Sequence, residues 1–275
     1  MAGHLLNAGH ALHVTTRTKS KAQELLDTGA VWADSPAELA RVCDVVFTIV
    51  GFPADVEAVY FGENGLLSAL KPGAVLVDMT TSSPEMAVRI AEAAMAKGGH
   101  ALDAPVSGGD KGAREGTLSM MVGGDAEIFT QIEPLFQRMG KQIVLQGPAG
   151  SGQHCKMCNQ ILIASGMVGV CEALAYAKRS GLSPRTVLES VSNGAAGSWA
   201  LSNLAPRMLD GDFDPGFYVK HFIKDMVLAT DSAETLGLEA PGLKLSLSLY
   251  RELEAAGYGD EGTQALFRRF DPGDE

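Results

Sequence analysis

The 275-residue sequence predicts an open α/β sheet with helices on both faces, followed by a domain built of helices alone. Three observations predict it. Strand-like and helix-like patterns alternate through the first half, whereas strand patterns cease beyond Gly147. Residues 45–50 (V-V-F-T-I-V) form a continuous apolar run, which is how a parallel strand covered on both faces reads. A β-α-β-α series of this kind gives a doubly wound sheet. The first domain is placed at 1–148 and the helical one at 149–275.

Taken in order, residues 2–8 read as the end of a helix stopped at Gly9 by a left-handed cap. Residues 11–16 alternate as a strand, and 19–28 read as a short amphipathic helix ended by Gly29. A brief strand covers 31–33. Ser35-Pro36-Ala37-Glu38 then opens a helix with a capping serine, a proline in the first turn and a reciprocal glutamate. The apolar strand pattern returns at 74–77 and, weakly, at 100–102, with helix starts near Ala54-Asp55 and at Ser83-Pro84-Glu85. A strand at 118–122, a helix over 126–139 and a strand at 143–145 complete the first domain.

In the second half, the apolar run 161–177 carries one charge, Glu172, and reads as a buried central helix rather than a membrane span. Gly166 and Gly169 would let another helix approach it closely. Further helices are predicted from Ser183-Pro184, over 199–209 and 219–236, after Ala240-Pro241, and in a short piece at 263–270. The methionines and Trp199 read as core, and 271–275 as a frayed tail.

The net charge of −11 argues against a general nucleic-acid or anionic-membrane surface. Cys43, Cys155, Cys158 and Cys171 show no disulfide framework, which suits a reducing, cytoplasmic setting. Residues 1–9 lack the basic and long apolar segments of a signal peptide. Cys155 and Cys158 form C-x-x-C beside His154, but zinc needs about four ligands and the remaining cysteines are distant. No metal site is expected, and the pair reads as small helix-packing residues.

Three stretches carry chemistry. In 150–160 (G-S-G-Q-H-C-K-M-C-N-Q), Lys156, Asn159 and Gln160 stand at i, i+3 and i+4, so one helix face presents all three. A lysine and two amides at the head of an apolar helix are costly unless they meet a ligand or each other. The plain alternative is a lysine that snorkels to solvent. Ser107-Gly108-Gly109 follows a strand end at the carboxyl edge of the sheet, where ligands of open α/β sheets bind. Its glycines let backbone N–H groups approach a carboxylate, and the serine adds a donor; the alternative is a ligand-free tight turn. Arg17-Thr18-Lys19 follows the strand at 11–16. An acid there would hold the ribose 2′-hydroxyl of NAD, whereas arginine accommodates the 2′-phosphate of NADP. The cofactor favoured is therefore NADP(H), with NAD(H) second, and an exposed basic loop is the alternative.

One expected feature is missing. A dinucleotide-binding sheet begins with a strand and a G-x-G-x-x-G turn into the first helix, and neither stands here. The expectation is a longer biological protein, with about 12–16 further residues supplying both.

The ordered motifs resemble those of the β-hydroxyacid dehydrogenase family, which includes 3-hydroxyisobutyrate dehydrogenase and tartronate semialdehyde (2-hydroxy-3-oxopropionate) reductase. Asp78-Met79-Thr80-Thr81 with Pro84 resembles the family's D-x-S-T-x-x-P segment, with Thr80 in place of the usual Ser. Asp103-Ala104-Pro105-Val106-Ser107-Gly108-Gly109 matches its substrate-binding signature, and Gly116-Thr117-Leu118, Gly150 through Asn159 and Lys224-Asp225 follow in order. Gln160 stands where many members have a second Asn; tartronate semialdehyde reductases resemble this chain in having Asn-Gln there.

The resemblance implies a Rossmann-type domain followed by an all-α domain that carries the oligomer contacts, as a dimer or tetramer. It implies NAD(P)-linked interconversion of a short β-hydroxyacid and its semialdehyde or keto acid, on a small carboxylate-bearing substrate. Lys156 would be the general acid/base, with Ser107, Gly108, Gly109, Asn159, Gln160, Phe217 and Asp225 at the substrate. Arg17, Thr18, Lys19, Val50, Gly51, Phe52, Pro53, Thr81 and Lys224 would contact the cofactor. The related 6-phosphogluconate dehydrogenases place a second acid at the position of Ile163, so decarboxylating chemistry is disfavoured. The rival reading is a catalytically impaired paralogue serving as an oligomeric scaffold, against which the intact Lys156, Ser107 and Lys224 argue.

Overall fold

The computed structural model describes residues 1–271 and divides into two compact units, Met1–Lys156 and Met157–Glu275. The predicted tail lies, apart from Asp271, outside the described residues. The division falls eight residues beyond the predicted one, because the first turn of the long helix is bonded into the first unit.

In the first unit, α1 (Ala2–Asn7) ends at Gly9 with φ 89°, and β1 (His13–Val14) pairs in parallel with β2 (Val31–Trp32). Between them, Lys19–Ala22 is a 3-10 turn leading into α2 (Gln23–Asp27). Helix α3 (Pro36–Val42) starts at Ser35, whose Oγ accepts the Glu38 N–H at 3.3 Å. The predicted reciprocal bond differs: Glu38 Oε2 accepts from the N–H of Asp34, at 2.7 Å. Then come β3 (Val45–Thr48), α4 (Pro53–Phe61), β4 (Val75–Asp78), α5 (Pro84–Met95) and β5 (His100–Asp103). The signature stretch continues into β6 (Val106–Ser107) and α6 (Gly109–Glu115), followed by β7 (Leu118–Gly123), α7 (Ala126–Phe136) and β8 (Gly140–Gly147).

The larger sheet runs β3-β4-β5-β7-β6, with β8 also paired to β7. Strands β3, β4 and β5 are parallel, but β7 runs antiparallel to β5 and β6, so the sheet is mixed rather than wholly parallel. Alternate residues of β4 feed two cores, as the period of two requires. Val75 and Val77 enter one with Leu102, Val122 and Phe136; Leu76 enters the other with Val56, Tyr60 and Ile90.

Helix α8 (Ser151–Arg179) leads into the second unit, which continues with α9 (Pro184–Val191), α10 (Trp199–Asn203), α11 (Ala205–Leu209), α12 (Val219–Thr235) and α13 (Pro241–Leu253). Pro206 sits in the first turn of α11, which accounts for two short helices where one was predicted. Met167, Leu174, Phe222, Met226 and Tyr250 centre the core of this unit.

Three expectations are corrected. Trp199 is 66% exposed and Met95 72%, so neither is core. A window of α8 is long and apolar enough to cross a membrane, but 50% of it is buried in the protein, and Leu162 and Tyr176 lie exposed. No atom comes within 4 Å of a side chain built at Gly166 or Gly169, so no described helix packs there.

Candidate active site

The signature stretch and the start of α8 meet within the first unit. Asp103, at the end of β5, is 3% exposed. Its Oδ1 accepts the N–H of Gly150 and its Oδ2 that of Gln153, each at 2.8 Å. Burial nevertheless pushes this carboxyl above the ordinary value, the backbone donors of Gly150, Gln153 and Gly152 pulling the other way. The approach is tight: a side chain on Gly152 would lie 2.3 Å from Met121 O and 2.8 Å from Asp103 Oδ2.

Three residues after Asp103, Val106 accepts at its carbonyl a 2.8 Å hydrogen bond from Lys156 Nζ. Three residues after Gln153, Lys156 is 6% exposed. Strand end and helix thus face each other with matched spacing, and the ammonium is drawn inward rather than out to solvent. Ser107 follows immediately, half-buried, and Gly108 and Gly109 take φ values of 126° and 62° that other residues rarely adopt. Instead of closing a simple turn, they start α6.

The residues predicted for the cofactor are distributed as follows. Arg17, Val50 and Gly51 line one cavity of about 1310 Å³, together with Thr15, Thr16 and Asp55. Arg17 is exposed, and its NH1 lies 3.3 Å from Asp55 Oδ1, which leaves most of its five N–H donors for an anion. Asp55 also accepts the Phe52 N–H at 3.1 Å, and Pro53 occupies the first turn of α4. Lys19 stands 5.0 Å from the centroid of the Trp32 ring, whose Nε1 donates to Asp34 at 2.6 Å. Thr18 precedes it, exposed. Val50 N–H donates to Thr80 Oγ1 at 3.0 Å, so the threonine serves where the resemblance leads one to expect serine. Thr81 is half-buried beside it. A solvent-facing guanidinium, small residues at the strand ends and a cavity between them fit a nicotinamide dinucleotide.

In the second unit, four predicted residues form one chain of contacts. Asn159 Nδ2 donates to Gln160 Oε1 at 2.7 Å, and Gln160 Nε2 donates to Asp225 Oδ2 at 2.6 Å. Lys224 Nζ lies 2.8 Å from Asp225 Oδ1. Gln160 and Asp225 are 1% and 2% exposed, while Asn159 is half-buried. Phe217 packs against Phe222, with centroids 5.7 Å apart. Cys155 is half-buried and Cys158 exposed, so the second of the pair is not a packing residue. Among the described residues, no group of three His, Cys, Asp or Glu could hold a metal ion.

Two residues escaped the sequence reading. Asp103 was legible as the first letter of a motif, without its bonds. Gln153, 0% exposed, donates from Nε2 to Thr80 O at 2.7 Å and accepts from Ser82 N at 3.1 Å. Its signal was a third amide one turn ahead of Lys156.

Residues 1–147 match the NAD binding domain of 6-phosphogluconate dehydrogenase, and 150–270 match the NAD-binding domain of NADP-dependent 3-hydroxyisobutyrate dehydrogenase. The chain is 59% identical to the oxidoreductase YkwC of Bacillus subtilis over 268 residues, covering 98% of this chain and 93% of that protein. It is 42% identical to 2-hydroxy-3-oxopropionate reductase of Escherichia coli over 257 residues, covering 94% and 88%. Among solved structures, 3-hydroxyisobutyrate dehydrogenase of Mycobacterium tuberculosis with L-serine matches with a TM-score of 0.89 at 29% identity, covering 98% and 93%. With both family models matched in order and relatives aligned over nearly its whole length, the chain belongs to the β-hydroxyacid dehydrogenase family of NAD(P)-binding oxidoreductases.

Proposed function

We propose that the protein interconverts a short β-hydroxyacid and its semialdehyde or keto acid, as 3-hydroxyisobutyrate dehydrogenases and 2-hydroxy-3-oxopropionate reductases do, using NADP(H) in preference to NAD(H). The observation that carries this reading is Lys156, a buried ammonium held 2.8 Å from Val106 O beside Ser107-Gly108-Gly109. The bound nicotinamide supplies or takes up the hydride. Arg17 would hold the 2′-phosphate, and Val50, Gly51 and Thr81 the strand-end portion of the cofactor.

The rest of the chemistry belongs to the chain. The Ser107 hydroxyl and the backbone N–H groups about Gly108 and Gly109 receive the substrate carboxylate, with charge-assisted hydrogen bonds fixing its orientation. Lys156 gives its proton to the carbonyl oxygen during reduction and takes it back during oxidation. Asn159, one turn along the same helix, steadies the substrate oxygen, and Gln160 fixes the rotamer of Asn159 through their 2.7 Å bond. Ile163, a further turn on, cannot act as a second acid, so the reaction ends with the proton and hydride transfers.

The test is turnover of NADPH with a panel of short semialdehydes. Lys156→Ala is expected to lower kcat about a hundredfold or more while NADPH binding persists. Lys156→Arg is expected not to restore it, since a guanidinium keeps its proton. A variant that retains most of its activity refutes the mechanism.

A further inference from the structure

We propose that Gln153 is a positioning residue: it ties the start of α8 to the segment after β4, so that the backbone receiving the cofactor and the lysine donating the proton are held as one piece. The inference rests on the reading of Lys156 as proton donor.

The connection is continuous and buried. Val50 N–H donates to Thr80 Oγ1 at 3.0 Å, and Thr80 N–H donates to Asp78 Oδ1 at 3.0 Å. Gln153 then spans Thr80 O and Ser82 N with its two amide atoms, at 2.7 and 3.1 Å. Its own backbone N–H is held by Asp103 at 2.8 Å. One helical turn later, Lys156 Nζ reaches Val106 O. Fixing the side chain and the backbone of one residue to two different segments sets the rotation of the helix as well as its height.

Rotation matters because Lys156 is long. With the α-carbon 2.3 Å from the axis and about 6 Å of side chain beyond it, a turn of roughly 10° moves Nζ by about 1.4 Å. A misplacement near 1 Å costs on the order of a hundredfold in rate. An apolar side chain at 153 fills the space but holds neither Thr80 nor Ser82. Thr80 and Ser82 flank Thr81, the predicted cofactor contact, so the amide links the two halves of the reaction directly.

The experiment compares Gln153→Met and Gln153→Glu with the wild type, using NADPH and a short semialdehyde. For Gln153→Met, a fall in kcat of about tenfold or more is expected, with the KM for the aldehyde changed less than about threefold. Gln153→Glu carries the sharper test, because a neutral carboxyl can donate to Thr80 O and accept from Ser82 N, whereas its anion cannot donate. Burial beside Asp103 and Asp78 raises the pKa of the introduced acid. Its kcat relative to wild type should therefore climb at least about fivefold between about pH 8 and pH 6. A purely structural defect would not recover with protonation.

Wild-type kcat in a folded Gln153→Met, or a Gln153→Glu ratio that stays flat with pH, overturns the inference. If Gln153→Met does not fold, the ratio alone decides. Lys156→Ala separates the two levels: if it stays active, the proton-donor reading fails. If it is dead while both Gln153 variants behave as wild type, the positioning role alone fails.

Discussion

Asp103→Asn replaces the carboxyl that anchors α8 by a neutral amide of the same shape. The native carboxylate satisfies the N–H groups of Gly150 and Gln153 with separate oxygens, both at 2.8 Å. Asparagine keeps one acceptor and turns an NH₂ group toward the other donor. In acid the native group is a neutral carboxyl whose two oxygens still face the two donors, so the variant's loss there is the one orphaned buried N–H, about 1–3 kcal/mol. At higher pH the variant is also spared the burial of a charge, which outweighs the backbone donors in raising the Asp103 pKa, so the loss is smaller there.

The pH dependence has a definite sign. Burial raises the folded-state pKa of Asp103 above its ordinary 3.8, so the folded protein binds this proton more readily than the unfolded chain. The wild-type contribution is complete below that ordinary value and is lost as pH rises through the raised one. Asparagine does not titrate. The stability deficit of the variant should therefore be greatest in acid, shrink across that window and level off above it. Urea denaturation of both proteins at a series of pH values measures the difference, and other carboxylates cancel. A variant within about 0.5 kcal/mol of wild type in acid, or a deficit that widens with pH, would refute the reasoning.

Further outcomes follow from the same contacts. Arg17→Asp should shift the ratio of kcat/KM for NADPH over NADH by more than about tenfold toward NADH, since a contact worth about 1.5–3 kcal/mol becomes repulsive. An unmoved ratio removes Arg17 from cofactor choice. Gln160→Met leaves the buried Asp225 carboxylate and the Asn159 amide each short of a partner, for a loss of about 2–4 kcal/mol, and an unchanged melting temperature would contradict it. Trp199→Ser should change stability by no more than about 0.5 kcal/mol, because the ring is 66% exposed; a loss above about 2 kcal/mol would return Trp199 to the core.

How far the chain was legible depends on whether the information was local. Helix starts at Pro36, Pro84 and Pro184 were readable because a capping serine and a proline announce them, and the one at Pro241 by its proline alone. The apolar runs that become β3 and β4 were readable because burial on two faces needs no partner to be named. The antiparallel course of β7 was not, since direction depends on which distant strand it meets. Strand β6 is two residues long and too short to carry a period. Lys156 announced itself as a charge on an apolar helix. Gln153 did not, because an uncharged amide looks equally at home on a surface, and its value lies in two backbone groups more than 70 residues away. Trp199 was misjudged for a related reason: a large apolar ring favours burial on average, but α10 is five residues long and has no repeated face to fix which side turns inward.

The packing of Lys19 against Trp32 gives the protein an optical handle. The sequence has two tryptophans, Trp32 and Trp199. Indole emission responds to a nearby charge, and Trp32 has an ammonium 5.0 Å from its ring centre and Asp34 on its Nε1. If NADP(H) binds as proposed, a 2′-phosphate drawn to Arg17 and Lys19 would pull that ammonium off the ring and change the emission of Trp32. Trp199, two-thirds open to water, gives a steady red background that iodide can quench. Intrinsic fluorescence, corrected with Trp199→Phe, would therefore read occupancy of the proposed 2′-phosphate end in real time without any added label.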